Sequence, residues 1–260
     1  MTLEVNNLTV AIDDRVVVND VSFSVGTGER LGIIGESGSG KSVASLAILG
    51  LTPRNATATG SVKLDGEELL GLGDRRLAAI RGREVGIVFQ EPRTALNPIR
   101  TIGRQLVEPL LVHGLITRRA AHETAIELAR TVRIPEPEHA VNLYPHQLSG
   151  GQRQRVGIAI ALACNPGLLI ADEPTTALDV TIQAEIIALF DALVDERGSS
   201  LIFITHDLAV LSNVTTRAIV MANGEVIERA SVVDLLRDPK HEITAGLVAA
   251  SVATSWTPSA

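Results

Sequence analysis

Aromatic residues are scarce in this chain: four Phe, one Trp and one Tyr make up only 2% of 260 residues. A surface that stacks single-stranded nucleic acid needs such rings, so that function is disfavoured. Positive charge is short as well. The net charge of −7 would oblige a nucleic-acid binder to carry a local basic patch. The one run of note, Arg75-Arg76 to Arg81 and Arg83, reads as a solvated helix face. Cys164 is the single cysteine, which excludes a disulfide within the chain and a zinc or cluster site built from thiolates. It reads as a small buried hydrophobe in an apolar helix. Long apolar runs are missing too. The longest, Val156–Ala171, is broken by Asn165-Pro166-Gly167 and is too short to span a bilayer. Met1–Val5 carries no basic segment leading into an apolar one, so no signal peptide is expected. No internal repeat, heptad pattern or low-complexity linker occurs. These absences describe a soluble, cytoplasmic chain with no nucleic-acid partner. The rest is ordinary globular composition, 45% hydrophobic and 20% charged, with length for one large domain or two small ones.

Against that background one stretch stands out: Gly35-Glu36-Ser37-Gly38-Ser39-Gly40-Lys41-Ser42. It fits the phosphate-binding pattern G-x-x-x-x-G-K-[ST] at every fixed position. Leu31–Ile34 before it reads as a buried strand, and Val43–Leu51 after it as an apolar helix. The glycines let the backbone curl so that successive N–H groups face phosphate oxygens, and the helix adds its positive end. Lys41 would reach the β- and γ-phosphates, and the Ser42 hydroxyl would hold Mg²⁺. The glycine spacing excludes the dinucleotide pattern G-x-G-x-x-G.

Residues 2 to 30 alternate apolar and polar, as strands do, with turns at Asp13-Asp14 and Gly26–Gly28. Gly60–Leu69 reads as a hairpin turning at Asp65-Gly66, and Asn223-Gly224 marks another between Ala218–Met221 and Glu225–Glu228. Arg83–Phe89, Leu168–Asp172 and Leu201–Thr205 are further buried strands. Residues 91 to 147 differ, being rich in Pro and Arg, with a helix predicted over Arg118–Val132 behind a Thr117 cap. They read as a mostly helical insertion. Helices are also predicted from Ser149 to about Ala163 and over Ile182–Arg197, the latter stopped by Gly198. Strands alternating with helices mean an α/β fold with a mostly parallel sheet.

Four further features suit phosphate chemistry. Asp172 ends an apolar strand and would hold hydrated Mg²⁺, while Glu173 could act as general base on the attacking water. Gln90 ends another strand and can bind both Mg²⁺ and that water. His206, at the end of Leu201–Thr205, could contact the γ-phosphate. Leu148-Ser149-Gly150-Gly151-Gln152 starts a helix whose serine and glycines offer N–H groups to an anion. One γ-phosphate already has its own loop, so this second cradle suits another chain's nucleotide.

Together these stretches resemble the ATP-binding subunit of ABC transporters, over roughly residues 3 to 245. By motif match Gly35–Ser42, with Val43 behind it, resembles the Walker A. Gln90 resembles the Q-loop, Leu148–Gln152 the signature, Leu168–Asp172 the Walker B, Glu173 the catalytic base, Ala177–Asp179 the D-loop and His206 the switch histidine. Phe89–Pro98, Tyr144–Arg155 and Ile170–Val180 resemble the oligopeptide, dipeptide and nickel importer branch, and Pro239–Thr244 is similar to the nickel importer's ATPase. The resemblance implies a phosphate-loop (RecA-like) core over residues 1–90 and 155–250, with an N-terminal antiparallel β subdomain and a helical signature subdomain at 91–154. These make one ATPase domain over 1–250, with a loose tail at 251–260. It further implies ATP and Mg²⁺, and a second ATPase subunit, copy or homologue, sandwiching two ATP molecules. Two membrane permease subunits, an indirect extracytoplasmic solute-binding protein and a place on the cytoplasmic membrane face complete the picture. Ile12 stands where the family usually stacks an aromatic on adenine, and the cysteine-bearing C-terminal extension frequent in the peptide branch is not expected here. A soluble relative acting in DNA repair or on the ribosome is the competing function; the signature stretch argues against a kinase or GTPase.

Overall fold

The computed structural model describes residues 1–90, 96–176 and 180–254. They form two compact units, one of Met1–Leu77 with Ser200 onward, the other Ala78–Ser199. The fold is α/β, with one antiparallel sheet and a mixed, mostly parallel one.

In the first unit β1 (Leu3–Ile12) lies between β2 (Arg15–Val25) and β4 (Ala56–Leu64), antiparallel to both, and β5 (Glu67–Glu68) extends the sheet. Its turns follow from backbone geometry. Asp13 and Asp14 (φ 47° and 61°), and Asp65 and Gly66 (φ 46° and 83°), occupy the left-handed region that two-residue hairpins require. The same unit holds β3 (Arg30–Ile34), parallel to both β8 (Ser200–Thr205) and β9 (Arg217–Ala222), with β10 (Glu225–Ser231) antiparallel to β9. Leu31, Ile33 and Ile34 of β3 and every residue of β8 are buried, as the continuous apolar runs predict for a parallel sheet. Helix α1 (Lys41–Ile48) starts two residues earlier than expected and stops at Gly50 (φ 60°), whose N–H reaches Ala47 O while Leu51 N–H reaches Leu46 O. That six-to-one closure ends the helix before Leu51. Helix α2 is Asp74–Ile80; Arg75 and Arg76 on it are exposed, as expected.

In the second unit β6 (Val85–Val88) pairs parallel to β7 (Leu168–Asp172). Between them come α3 (Ile102–Val112), α4 (Ala121–Thr131), the short α5 (Pro137–Ala140) and α6 (Gly150–Leu162); α7 (Val180–Arg197) follows β7 and ends before Gly198 at φ 63°. The expected Thr117 cap is not one: Ala120 N–H closes a turn on Thr117 O, and α4 begins only at Ala121. Helix α3 escaped the sequence reading because Gly103 and Pro109 look like breakers. In the structure, a side chain at Gly103 would sit 2.9 Å from Val141 O, and the Ile102 and Gly103 N–H groups donate to Leu143 O and Val141 O. Tertiary partners thus satisfy the helix start and explain the glycine. Cys164 lies half-buried in the turn after α6 rather than inside the helix, and burial pushes its thiol upward despite the Arg83 charge.

The first unit closes with α8 (Leu208–Val214), α9 (Val232–Arg237) and α10 (Glu242–Thr254). Residues 251–254, expected as loose tail, belong to α10; 255–260 lie outside the described residues. Among the described residues no helix is long and apolar enough to cross a membrane.

Candidate functional site

Strands β3 and β8 pair in parallel through Ile34 and Thr205, so the Gly35 loop and His206 leave neighbouring strands at the same sheet end. Gly35 has no room for a side chain, since a Cβ there would lie 2.1 Å from Met221 O of β9. Gly38 and Gly40 take φ of 81° and 97°, the curl that the phosphate loop needs. Glu36, Ser37 and Gly38 are exposed at its crest, Ser39 is buried, and Ser42 and Val43 are half-buried in the first turn of α1. Lys41 is 4% exposed, and its Nζ donates to Gly35 O and Glu36 O, each at 2.8 Å. The ammonium is therefore drawn across the mouth of the loop, held by backbone carbonyls.

A second feature braces this loop. The β9–β10 turn places Gly224 so that its N–H donates to Ser39 O at 3.1 Å and its carbonyl accepts from Asn19 N–H at 2.8 Å. A side chain on either Gly40 or Gly224 would lie 2.7 Å from Val17 O. Three backbone segments thus meet without side chains between them, which the sequence reading of Asn223-Gly224 as a mere hairpin did not foresee. His206 is exposed on a short turn: Thr205 Oγ1 accepts from Asp207 N–H, and Asp207 Oδ1 caps α8 by accepting from Ala209 and Val210 N–H. Ile12 ends β1 opposite Arg15 and is half-buried.

In the second unit Val88 of β6 pairs with Ala171 of β7, so Gln90 and the two acids emerge at one end. Gln90 Nε2 donates to Glu173 Oε2 at 2.9 Å, and Thr176 Oγ1 donates to the same oxygen at 2.9 Å. Asp172 and Glu173 are 5% and 8% exposed. Glu173 has φ 44°, a region that a non-glycine residue occupies at a cost of order 1–3 kcal/mol. Such strain directly after a strand tip is common where a side chain is aimed at chemistry.

The Ser149 stretch differs in detail from its expected form. Ser149 Oγ accepts from Gln152 N–H at 3.2 Å, and Gln152 Oε1 accepts from Ser149 N–H at 2.8 Å, a reciprocal cap of α6. Two of the groups expected to face an anion are thus engaged with each other. Gly151 is glycine for packing, because a Cβ would lie 2.8 Å from Ile182 Cγ2 of α7. Ser149 and Gly150 remain exposed. Arg153 Nη1 staples the preceding turn by donating to Leu148 O and Pro145 O. Asp179, with Ala177 and Leu178, and Glu91–Ala95 after Gln90 lie outside the described residues.

The same unit carries a concave surface of about 690 Å³ lined by Arg104, Val107, Leu111, Val112, Ile116 and Arg118, among others. Ile99 and Val112, 82% and 72% exposed, stand on it or next to it in sequence. Among the described residues no group of three or more His, Cys, Asp or Glu side chains could hold a metal. The oxygens of Ser42, Gln90 and Asp172 are hard donors of the kind that Mg²⁺ takes together with water and phosphate.

Comparison with known proteins agrees with these observations. The family described as ABC transporter matches residues 18–176. A protein of Sinorhizobium fredii named as a probable peptide ABC transporter ATP-binding protein is 50% identical over 230 residues, covering 88% of this chain and 69% of its own. The oligopeptide transport ATP-binding protein OppD of Bacillus subtilis is 46% identical, covering 95% of this chain and 71% of its own. Among solved structures, the ATP-binding cassette MJ0796, a dimer in a post-hydrolysis state with ADP and Pi, superposes with a TM-score of 0.78 at 32% identity. That match covers 88% of this chain and 98% of the cassette.

Proposed function

The chain belongs to the ABC transporter family of ATP-binding subunits, and from that premise we propose that it hydrolyses ATP to drive peptide uptake through separate membrane subunits. The single observation that carries the hydrolytic part is the Gln90–Glu173 hydrogen bond at the paired ends of β6 and β7. It supports reading Glu173 as a carboxylate base and Gln90 as its metal- and water-binding neighbour, in a chain that also carries a complete phosphate loop. Peptide, rather than nickel, is favoured by relatives named for peptide and oligopeptide transport.

In this reading residues 1–250 act as one ATPase domain, with 91–154 as its signature subdomain. Gly35–Val43 cradle the phosphates and Lys41 turns from its loop carbonyls to them. Ser42, Gln90 and Asp172 would hold Mg²⁺, which would offset the charge of the phosphates. Glu173 takes a proton from the attacking water and His206 contacts the γ-phosphate. Ser149–Gln152 and Asp179 serve the nucleotide of a second ATPase subunit, copy or homologue, as the dimeric cassette MJ0796 encourages. The subunit would work at the cytoplasmic face of the membrane with two permease subunits, fed by an extracytoplasmic solute-binding protein.

A shared site has a testable signature. Ser149→Arg puts bulk and charge at an exposed helix start, for about 1 kcal/mol of lost capping. It should leave ATP binding by the isolated subunit near normal while removing dimerisation and hydrolysis. Mixing it with a Lys41→Ala chain should restore activity, up to about half if one of two sites works. No restoration from two folded proteins would refute a homodimer and favour a homologous partner.

The concave surface on α3 and α4 is the candidate seat of the membrane subunit. Gln90 stands before this region in the chain, so a nucleotide-driven shift of Gln90 can be passed to it. Arg104→Glu and Val112→Asp alter exposed positions and should preserve basal ATPase and thermal stability. Co-purification with membranes should fall at least about fivefold, the effect of losing roughly 1 kcal/mol at an interface. Stability and ATPase falling together would mean that this surface serves packing alone.

A further inference from the structure

We infer that Thr176 is a positioning residue for the Glu173 carboxylate. The inference rests on Glu173 being the base, as proposed above. Two donors converge on Glu173 Oε2, each at 2.9 Å: the Gln90 amide from the end of β6, and the Thr176 hydroxyl from the turn that follows β7. They differ in what can remove them. In the reading above Gln90 also serves the metal and the attacking water, so its bond to Glu173 would be given up to them. Thr176 belongs to the same turn as Glu173, closed by Thr176 N–H to Glu173 O at 3.2 Å, and moves with it. Its hydroxyl therefore holds the carboxylate after Gln90 has left, when orientation toward water matters.

A carboxylate on a flexible stem otherwise samples several rotamers, and each wrong one is unproductive. The left-handed backbone at Glu173, φ 44°, fixes where its stem begins, and Thr176 fixes where it ends. A purely local role, gluing the turn, is already filled by the backbone bond. Thr176 is also exposed, so replacing its hydroxyl removes little from the core.

The test is steady-state and single-turnover ATP hydrolysis by wild type, Thr176→Val, Thr176→Ser, Glu173→Gln and the Glu173→Gln/Thr176→Val pair, with ATP affinity and melting temperature measured on each. Thr176→Val should lower kcat about 10-fold, the scale of one hydrogen bond to a charged group, with KM and ATP affinity unchanged within about twofold. Thr176→Ser, which keeps the hydroxyl, should recover activity to within about threefold of wild type. In the Glu173→Gln background Thr176→Val should add nothing, because the hydroxyl acts through that carboxylate. A Thr176→Val enzyme with wild-type kcat, no recovery by Ser, or the same 10-fold loss on top of Glu173→Gln would each overturn the role of Thr176. A drop in melting temperature and ATP affinity matching the loss of kcat would do so as well. Near-normal turnover by Glu173→Gln would instead overturn the base assignment itself.

Discussion

A Glu173→Gln chain will bind ATP as the parent does and hydrolyse it about 10²-fold more slowly, or worse. Glutamine copies the shape of the carboxylate, and its amide oxygen can still accept from Gln90 Nε2 and Thr176 Oγ1, the two donors seen at 2.9 Å. The backbone at φ 44° is no harder for Gln than for Glu. What is removed is the capacity to take a proton, and general-base catalysis contributes typically 10²–10⁴-fold. Because binding survives and turnover does not, the variant should accumulate as an ATP-loaded dimer. Single-turnover hydrolysis and light scattering with and without ATP report the two halves of this result. Turnover within a few-fold of wild type would remove Glu173 from the base role, whatever its geometry.

Lys41→Ala should act a step earlier, on binding itself. Lys41 is the only cation in residues 35–42, a stretch that also carries Glu36. The residue is only 4% exposed, and its Nζ makes charge-assisted bonds to Gly35 O and Glu36 O. Transfer of the ammonium to phosphate oxygens replaces carbonyl acceptors with anionic ones at little further desolvation cost. Removing it should weaken ATP at least about 10²-fold, two charged hydrogen bonds' worth, and leave calorimetric titration flat. The two carbonyls also lose their donor, so melting temperature must be followed in parallel. Unchanged ATP affinity in a folded variant would contradict the assignment of the loop.

Much of this was legible because its causes are local. A two-residue hairpin needs positive φ, and Asp13-Asp14, Asp65-Gly66 and Asn223-Gly224 announce it by composition. Buried parallel strands need apolar runs, and β3, β7 and β8 have them. The roles proposed for Lys41, Asp172, Glu173 and Gln90 follow from residue type and place alone. What escaped has distant causes. Nothing near Gly103 says that Val141 will press against it, or near Gly151 that Ile182 will, and so one helix was missed and the packing role of one glycine went unseen. Thr176 escaped for another reason: a hydroxyl three residues beyond an acid has no periodicity, and only coordinates show where it points.

The meeting of Val17, Gly224 and Gly40 bears on the order of assembly during synthesis. Asn19 and Glu225, which hydrogen-bond beside it at 2.6 Å, are 206 residues apart. The phosphate-loop residues leave the ribosome well before the turn that donates to Ser39 O, which lies far along the sequence. Contacts of such separation form after local helices and hairpins, since a long loop must be closed before they contribute. The nascent chain therefore carries every residue of its phosphate loop long before that loop has its brace. Nucleotide, by binding the braced form preferentially, would then favour the late closure by mass action and act as a folding ligand as well as a fuel.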